Sequence, residues 1–290
     1  MKTVYLTHCS EAASKEVEPC VLAVGFFDGV HIGHRTVIDT AKQIASERKV
    51  KSAVLTFFPH PKEIISNGTE KVDYLIPFDR KKELIAQLSI DCLYVIHFDL
   101  EFAKLDPQSF VKQYLIGLGA VHVVAGFDFT YGYRGQGTMD TMVQDSRGLL
   151  DVSVVPKISW KNKKISSTLI RDLLRNGEVS LIPPVLGDYY ETFGRISSIR
   201  TERSIEITPY DRFMLPAPGI YEVEVETGEM VYQGISCLTE SHNGSKHLEI
   251  LSPSDLKTLT GTTVKIKWLK QRSKYHFNYC LFGINKWDIV

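Results

Sequence analysis

The chain has 290 residues with thirty-four basic and thirty-four acidic side chains, room for two domains of about 100 to 200 residues, and no global field to draw it to nucleic acid or an anionic membrane. Five scattered cysteines (Cys9, Cys20, Cys92, Cys237, Cys280) with no C-x-x-C pair argue against a disulfide framework or a zinc ribbon and read as reduced thiols. The N-terminal MKTVYLTHCSEAASKE lacks the apolar core of a secretory signal and no run approaches the roughly 18 apolar residues of a membrane span, so the expected location is the cytoplasm.

In chain order, the first pattern is the apolar run Cys20 to Gly25, short enough to be a strand covered on both faces. It leads into FFDGVHIGH, with glycines at 25, 29 and 33, and then into Val37, Ile38, Ala41, Ile44 and Ala45 at helical spacing. His31 and His34 therefore sit at a helix entrance, where free backbone N–H groups and the positive end of the helix dipole favour phosphate. Taken alone, a His-x-x-His pair is also compatible with a metal site, or with one capping and one surface histidine.

Further strands are expected at Val50 to Phe57, Leu93 to Phe98, Val121 to Ala125 and Val152 to Val155. Amphipathic helical stretches fall at His34 to Arg48, Asp79 to Leu88, Pro107 to Leu118 and Ser166 to Arg175. This alternation predicts a doubly wound parallel α/β sheet, whose ligands bind at the carboxyl ends of the strands. There stand Gly25 to His34, Phe58 to Pro61, Asp99 and Gly126 to Gly137, each compatible singly with an ordinary turn. A second phosphate-binding signal is KISSTLIR (164–171), where Ser166, Ser167 and Thr168 precede Arg171 at another helix start.

After Arg175 the pattern changes. Asn176 and Gly177 close the helix, Pro183 and Pro184 interrupt the periodicity, and β segments follow at 191–199, 204–208, 220–226, 230–237, 247–251 and 263–269. The reading divides the chain into domains at 1–185 and 186–290, the second a small antiparallel barrel with turns at PAPG (216–219) and HNGS (242–245).

The ordered set GFFDGVHIGH (25–34), TFFPHP (56–61), FDLEFAKLDPQSFV (98–111), GFDFTYGYRGQG (126–137) and ISSTLIR (165–171) resembles the bacterial bifunctional riboflavin kinase/FMN adenylyltransferase family, the prokaryotic FAD synthetases. The resemblance implies an N-terminal nucleotidyltransferase domain of Rossmann-like form and a C-terminal barrel of riboflavin-kinase type. It implies ATP held by Gly25, Phe26, Phe27, Asp28, Gly29, Ser166, Ser167 and Thr168, with His31, His34 and Arg171 catalytic. FMN is then expected at Pro59, Pro61, Asp128, Phe129 and Tyr131, with Mg²⁺ as cofactor and no protein metal ligand assigned. Phe58 and Tyr131 depart from the family's usual residues.

The barrel resembles the kinase through GRI (194–196), LPAPGIY (215–221) and Glu249, which lines up with the kinase's catalytic carboxylate. Its glycine-rich loop and Pro-Thr-Ala-Asn segment have no counterpart, for this chain has no glycine between Gly194 and Gly219 and carries Arg200, Glu202 and Arg203 there. Nor has the family's long C-terminal helix a clear counterpart in the last residues. A backbone that approaches phosphates needs positions without side chains. The expectation is FAD synthesis from ATP and FMN with riboflavin phosphorylation lost. The alternatives are a bifunctional enzyme, transfer to another phosphorylated metabolite, or a flavin-binding regulator without catalysis. The sequence is silent on oligomeric state.

Overall fold

The computed structural model describes residues 1–7, 17–201, 204–211, 213–240, 246–252 and 260–274. Cys9, Cys280, Glu202, Arg203, the 242–245 turn and the C-terminal segment from residue 275 lie outside the described residues. By packing, the chain forms two compact units, one from Met1–Val72 and Pro77–Ile165, the other from Asp73–Ile76 and from Ser166 onward. Packing thus divides the chain at 165/166, whereas the sequence pattern changes to β only near 186.

The first unit follows the order β1 (Lys2–Leu6), β2 (Cys20–Val24), α1 (Ile32–Arg48), β3 (Lys51–Phe58), α2 (Pro61–Ile65), α3 (Phe78–Gln87), β4 (Cys92–His97), α4 (Pro107–Phe110) and β5 (Ala120–Gly126). It continues with the short pair β6 (Thr130–Tyr131) and β7 (Gly137–Thr138), α5 (Met142–Asp145), β8 (Asp151–Val155), and the small hairpin β9 (Ser159–Trp160) and β10 (Lys163–Lys164). The sheet is parallel throughout, in the order β1-β4-β3-β2-β5-β8. From β2 the connections run one way to β3 and β4 and then return to the other side for β5 and β8. The switch point therefore lies between β2 and β5, where the loops that leave the two strands diverge and open a crevice.

Strand β2 is buried at every position because its residues alternate between two covered faces. Cys20, Leu22 and Val24 join Phe110, Tyr114, Tyr131 and Met142 in one core cluster. α1 packs against β2, β3 and β5 and buries Val37, Ile38, Ala41 and Ala45. The stretch expected as one helix at 107–118 is helical but changes pitch, passing from α4 into a π turn at Val111–Leu115 and a 3₁₀ turn at Ile116–Leu118. The π turn buries Val111, Tyr114 and Leu115 in the core cluster.

Close approach is required at Gly137, where an added Cβ would overlap the ring of buried Tyr131. Gly137→Ala is expected to lower stability by about 1–3 kcal/mol through this overpacking. Urea unfolding checks it, and an unchanged midpoint would show that the ring moves aside freely.

The second unit comprises α6 (Ser167–Arg175), α7 (Pro183–Leu186) and a closed antiparallel barrel. Its strands are β11 (Tyr190–Thr201), β12 (Ser204–Pro209), β13 (Gly219–Thr227), β14 (Met230–Glu240), β15 (Lys246–Leu251) and β16 (Thr263–Lys274), in the order β11-β12-β15-β14-β13-β16. Fully buried Trp268 donates to Thr192 Oγ1 at 3.0 Å and meets Tyr221 edge to face. The Tyr190 hydroxyl is 2.8 Å from the carbonyl of Leu75 and 2.7 Å from that of Met214, and so fastens the segment 73–76 to the barrel. Cys20 and Cys92 are free thiols.

Candidate active site

The turn between β2 and α1 leaves the sheet beside the switch point. Its backbone is held in an uncommon shape: Phe27, Gly29 and Val30 have φ of 55°, 86° and 43°. Glycine tolerates this at no steric cost, whereas the β-branched Val30 does so only because its surroundings over-determine it. Gly25 N–H donates to the Leu55 carbonyl at 3.1 Å, and Val30 N–H to that of Phe27 at 3.3 Å. Arg35 Nε reaches back to the Val30 carbonyl at 3.0 Å. Phe27 and Asp28 are buried within the turn, and Phe26 is half-buried at its edge.

His31 is the N-cap of α1, and its Nδ1 accepts the His34 N–H at 3.2 Å. In the neutral ring the proton is therefore on Nε2, which is left as the ring's donor. The two imidazoles stack at 3.5 Å with planes 15° apart, and Phe27 meets His34 edge-on at 5.3 Å. Gly33 makes room for this, since an added Cβ there would lie 3.2 Å from His31 Cε1. Burial lowers the pKa of His31 to about 4, and burial with the neighbouring His31, Lys81 and Lys164 charges lowers that of His34 well below its ordinary value. Both rings are neutral at pH 7. His34 Nδ1 is buried without a hydrogen-bond partner, and the first turn of α1 has no acidic residue. A helix entrance without acidic side chains favours an anion over a cation.

The metal reading of this pair gains no support, because no group of three His, Cys, Asp or Glu side chains spaced to hold a cation occurs among the described residues. Asp28 is the buried carboxylate of the turn.

The loop after β3 supplies half-buried Pro59 and Pro61. Between them His60 caps α2 through its Nδ1 and packs edge-on against Phe26 at 4.4 Å, so this loop and the β2–α1 turn share a wall. After β5, exposed Asp128 is ion-paired with Lys164, whose ammonium also lies over the Phe127 ring at 4.7 Å. Phe129 is half-buried and stacks on Tyr131. Tyr131 is buried against Phe110 and bonds Asp145 Oδ2 at 2.7 Å, so Phe129 is the more accessible aromatic face of the two. Asp99, after β4, is engaged in its own turn and accepts the Phe102 N–H at 2.7 Å.

The chain runs from Ile165, whose carbonyl lies 3.8 Å from the position a Cβ on Gly33 would take, directly into Ser166. In the second unit Ser166 is the N-cap of α6, accepting the Leu169 N–H at 3.2 Å, with Ser167 and Thr168 following in the first turn. Arg171 Nε donates to the Asp73 carbonyl at 3.4 Å.

A residue that sequence reasoning missed is Lys81 of α3. It is buried, and its Nζ lies 3.0 Å from the Phe26 carbonyl and 3.2 Å from Thr56 Oγ1. Its charged neighbours in sequence (Asp79, Arg80, Lys82, Glu83) hide it on a face that looks solvated. The available signal is its place one turn before Ile85, the other buried residue of α3.

A family model described as FAD synthetase matches residues 13–169. A bifunctional riboflavin kinase/FMN adenylyltransferase of Bacillus subtilis (strain 168) is 38% identical over 96% of this chain and 92% of its own length. The chain belongs to the FAD synthetase family. A relative named FAD synthetase from Listeria monocytogenes (serovar 1/2a) is 31% identical over 76% of this chain and 87% of its own length. Among solved structures, one titled macrolide-efflux protein from Streptococcus pneumoniae matches with a TM-score of 0.84 at 24% identity, covering 97% of this chain and 94% of that one. That likeness concerns the fold, a Rossmann-like parallel sheet with a closed antiparallel barrel. No helix among the described residues is long and apolar enough to cross a membrane.

Proposed function

We propose that this chain is an FMN adenylyltransferase that makes FAD from ATP and FMN with release of pyrophosphate, and that it no longer phosphorylates riboflavin. The observation that carries the first half is the neutral, stacked His31–His34 pair at the entrance of α1, beside the switch point of a sheet of this family.

The terminal phosphate of FMN attacks the α-phosphorus of ATP, and the bond to the pyrophosphate oxygen breaks. A phosphate monoester has a second pKa near 6, so the nucleophile is already largely dianionic at pH 7 and needs no general base. Catalysis then rests on positioning and on donors aimed at charge that develops on the bridging and leaving oxygens. His31 donates through Nε2, His34 stands behind it, and the free N–H groups of α1 add the helix dipole.

Gly25 and Gly29 let the backbone approach the nucleotide, with Phe26, Phe27 and Asp28 shaping the turn. Ser166, Ser167, Thr168 and Arg171 are assigned to the β- and γ-phosphates. Pro59, Pro61 and Phe129 offer flat apolar surface to an isoalloxazine, Tyr131 backs Phe129, and Asp128 with Lys164 gives a polar rim. Mg²⁺ suits a substrate-borne role, carried on ATP phosphates and neutralising charge, with Asp28 as the nearby carboxylate. The domains are assigned as adenylyltransferase at 1–185 and barrel at 186–290, in a cytoplasmic protein.

For the second half, Glu249 faces Glu206 across β12 and β15, and its Oε1 accepts the Ser204 hydroxyl at 2.6 Å. Glu206 in turn engages Ser198 and Arg200. The carboxylate aligned with the kinase's catalytic group is thus held by Ser204 of strand β12, in the stretch where the family has a phosphate-binding loop. A bifunctional enzyme is the second reading, favoured by the similarity of the whole chain to the bifunctional Bacillus relative. With Mg²⁺ and ATP, FMN is expected to yield FAD and riboflavin to yield neither FMN nor FAD. Chromatography of the flavins checks this. Robust FMN from riboflavin restores the bifunctional reading, and no FAD from FMN removes the adenylyltransferase.

A further inference from the structure

We infer that Lys81 is a positioning residue for adenylyl transfer, whose buried ammonium pins the Phe26 carbonyl and so holds the Gly25–His34 turn in register with the loop that follows β3. The inference rests on reading that turn as the ATP site and adds to it a residue outside every motif by which the chain was assigned.

Two groups converge on one carbonyl and on each other. Thr56 Oγ1 donates to Phe26 O at 2.9 Å, Lys81 Nζ to the same oxygen at 3.0 Å, and Lys81 Nζ also lies 3.2 Å from Thr56 Oγ1. Phe26 is the residue just before the positive-φ stretch that begins at Phe27, so its peptide decides where the turn leaves the sheet. Its ring extends the link: the ammonium lies 4.6 Å from the centre of the Phe26 ring, and the same ring meets His60, between Pro59 and Pro61, at 4.4 Å. Phe78, from the first turn of α3, gives the ammonium a second ring at 5.4 Å, and Phe58 packs on Phe78 at 4.9 Å. One cation on α3 thus reaches the backbone of the nucleotide turn and, through two aromatic rings, the proline loop.

A lysine is costly in such a place, because burying an ammonium forfeits its hydration. The charged and titratable groups that act on it from neighbouring elements are the Asp28 carboxylate, which favours the charged form, and His34 on α1, which is neutral. A neutral isostere would fill the same volume without that cost. What the ammonium adds is a fixed donor to a carbonyl and a positive charge beneath a turn that receives a triphosphate, worth more in a site of low dielectric than at the surface. Burial lowers its pKa from 10.5 to about 8 against the raising effect of Asp28, so its charge is lost within an accessible pH range.

This gives two pH dependences of opposite sign. Activity falls as pH rises through about 8, because the ammonium that holds the turn deprotonates. Stability contributed by the same group rises between about 8 and 10.5, because there the unfolded chain still binds the proton that the folded chain has released.

The test uses the full chain with Lys81→Met and Lys81→Arg, read by steady-state FAD synthesis, by thermal unfolding from pH 7 to 10, and by the protons taken up on binding ATP with Mg²⁺, measured calorimetrically in buffers of different ionisation enthalpy. Lys81→Met is expected to lose roughly 100-fold in kcat/KM, the scale of an ångström-sized misplacement of reacting groups. It should also lose the activity limb near pH 8, the alkaline gain in Tm and the proton uptake. Lys81→Arg, which keeps the charge and the donors, should restore most of the activity without the limb. Met activity equal to wild type, or a wild-type limb that survives in both variants, overturns the inference. Should wild type make no FAD, the function reading fails, and the alkaline Tm and proton uptake still decide whether Lys81 is the buried titrating group beneath the nucleotide.

Discussion

His31→Ala and His34→Ala are each expected to lower kcat for FAD synthesis by about 10²–10³-fold, or roughly 3–4 kcal/mol of transition-state stabilisation, while leaving FMN affinity close to that of wild type. His31 keeps Nε2–H as its donor because its Nδ1 accepts the His34 N–H, and His34 holds that ring in place by stacking at 3.5 Å. Charge on the leaving pyrophosphate is largest in the transition state, so a donor there acts on kcat more than on binding of the flavin. His31→Ala also removes the N-cap of α1, with a cost of about 1 kcal/mol in stability. Turnover must therefore be measured below the unfolding transition of each variant. Equal kcat in all three proteins would remove both histidines from the reaction.

Acidification is expected to destabilise the first unit with a sign set by the same pair. Burial lowers the pKa of His31 from 6.5 to about 4, and that of His34 in the same direction. Between these values the unfolded chain binds protons that the folded chain refuses, so stability falls as pH drops from 6.5 toward 4 and His31 contributes no further loss below that. The His31 shift alone corresponds to about 3 kcal/mol. Urea unfolding at pH 7 and pH 4.5 checks it. The double variant His31→Asn/His34→Asn should lose less stability over this range than wild type, and equal losses would show that the acid sensitivity arises elsewhere.

Much of the first unit was legible because its strands are covered on both faces and leave unbroken apolar runs. β2 is the clearest case, whereas His122 interrupts β5. β1 escaped notice because it is an edge strand, KTVYL, of which only Leu6 is buried, so no run marks it. The hairpins β6–β7 and β9–β10 are two residues a side and carry no periodicity. In the second unit alternation is clean in β13, with every second residue buried, and broken in β12 and β14, and the closed barrel follows.

The candidate site was read from the sequence where residue types themselves suggest chemistry, as in the histidine pair and the hydroxyl-plus-arginine segment. It was not legible where packing decides. That Ser166 caps α6, that Tyr131 is buried and bonded to Asp145, and that Asp128 is ion-paired with Lys164 depend on distant partners. Lys81 is the sharpest case, since four charged neighbours in α3 disguise the one lysine turned into the core.

The most direct measurement is a crystal structure of the chain with Mg²⁺, FMN and a non-hydrolysable ATP analogue. The account predicts the triphosphate at the entrance of α1 with oxygens in hydrogen-bond reach of His31 Nε2 and the Gly25–Gly29 backbone, and the isoalloxazine against Pro59, Pro61 and Phe129. Nucleotide seated in the barrel, or at any place that leaves His31 and His34 untouched, would contradict it.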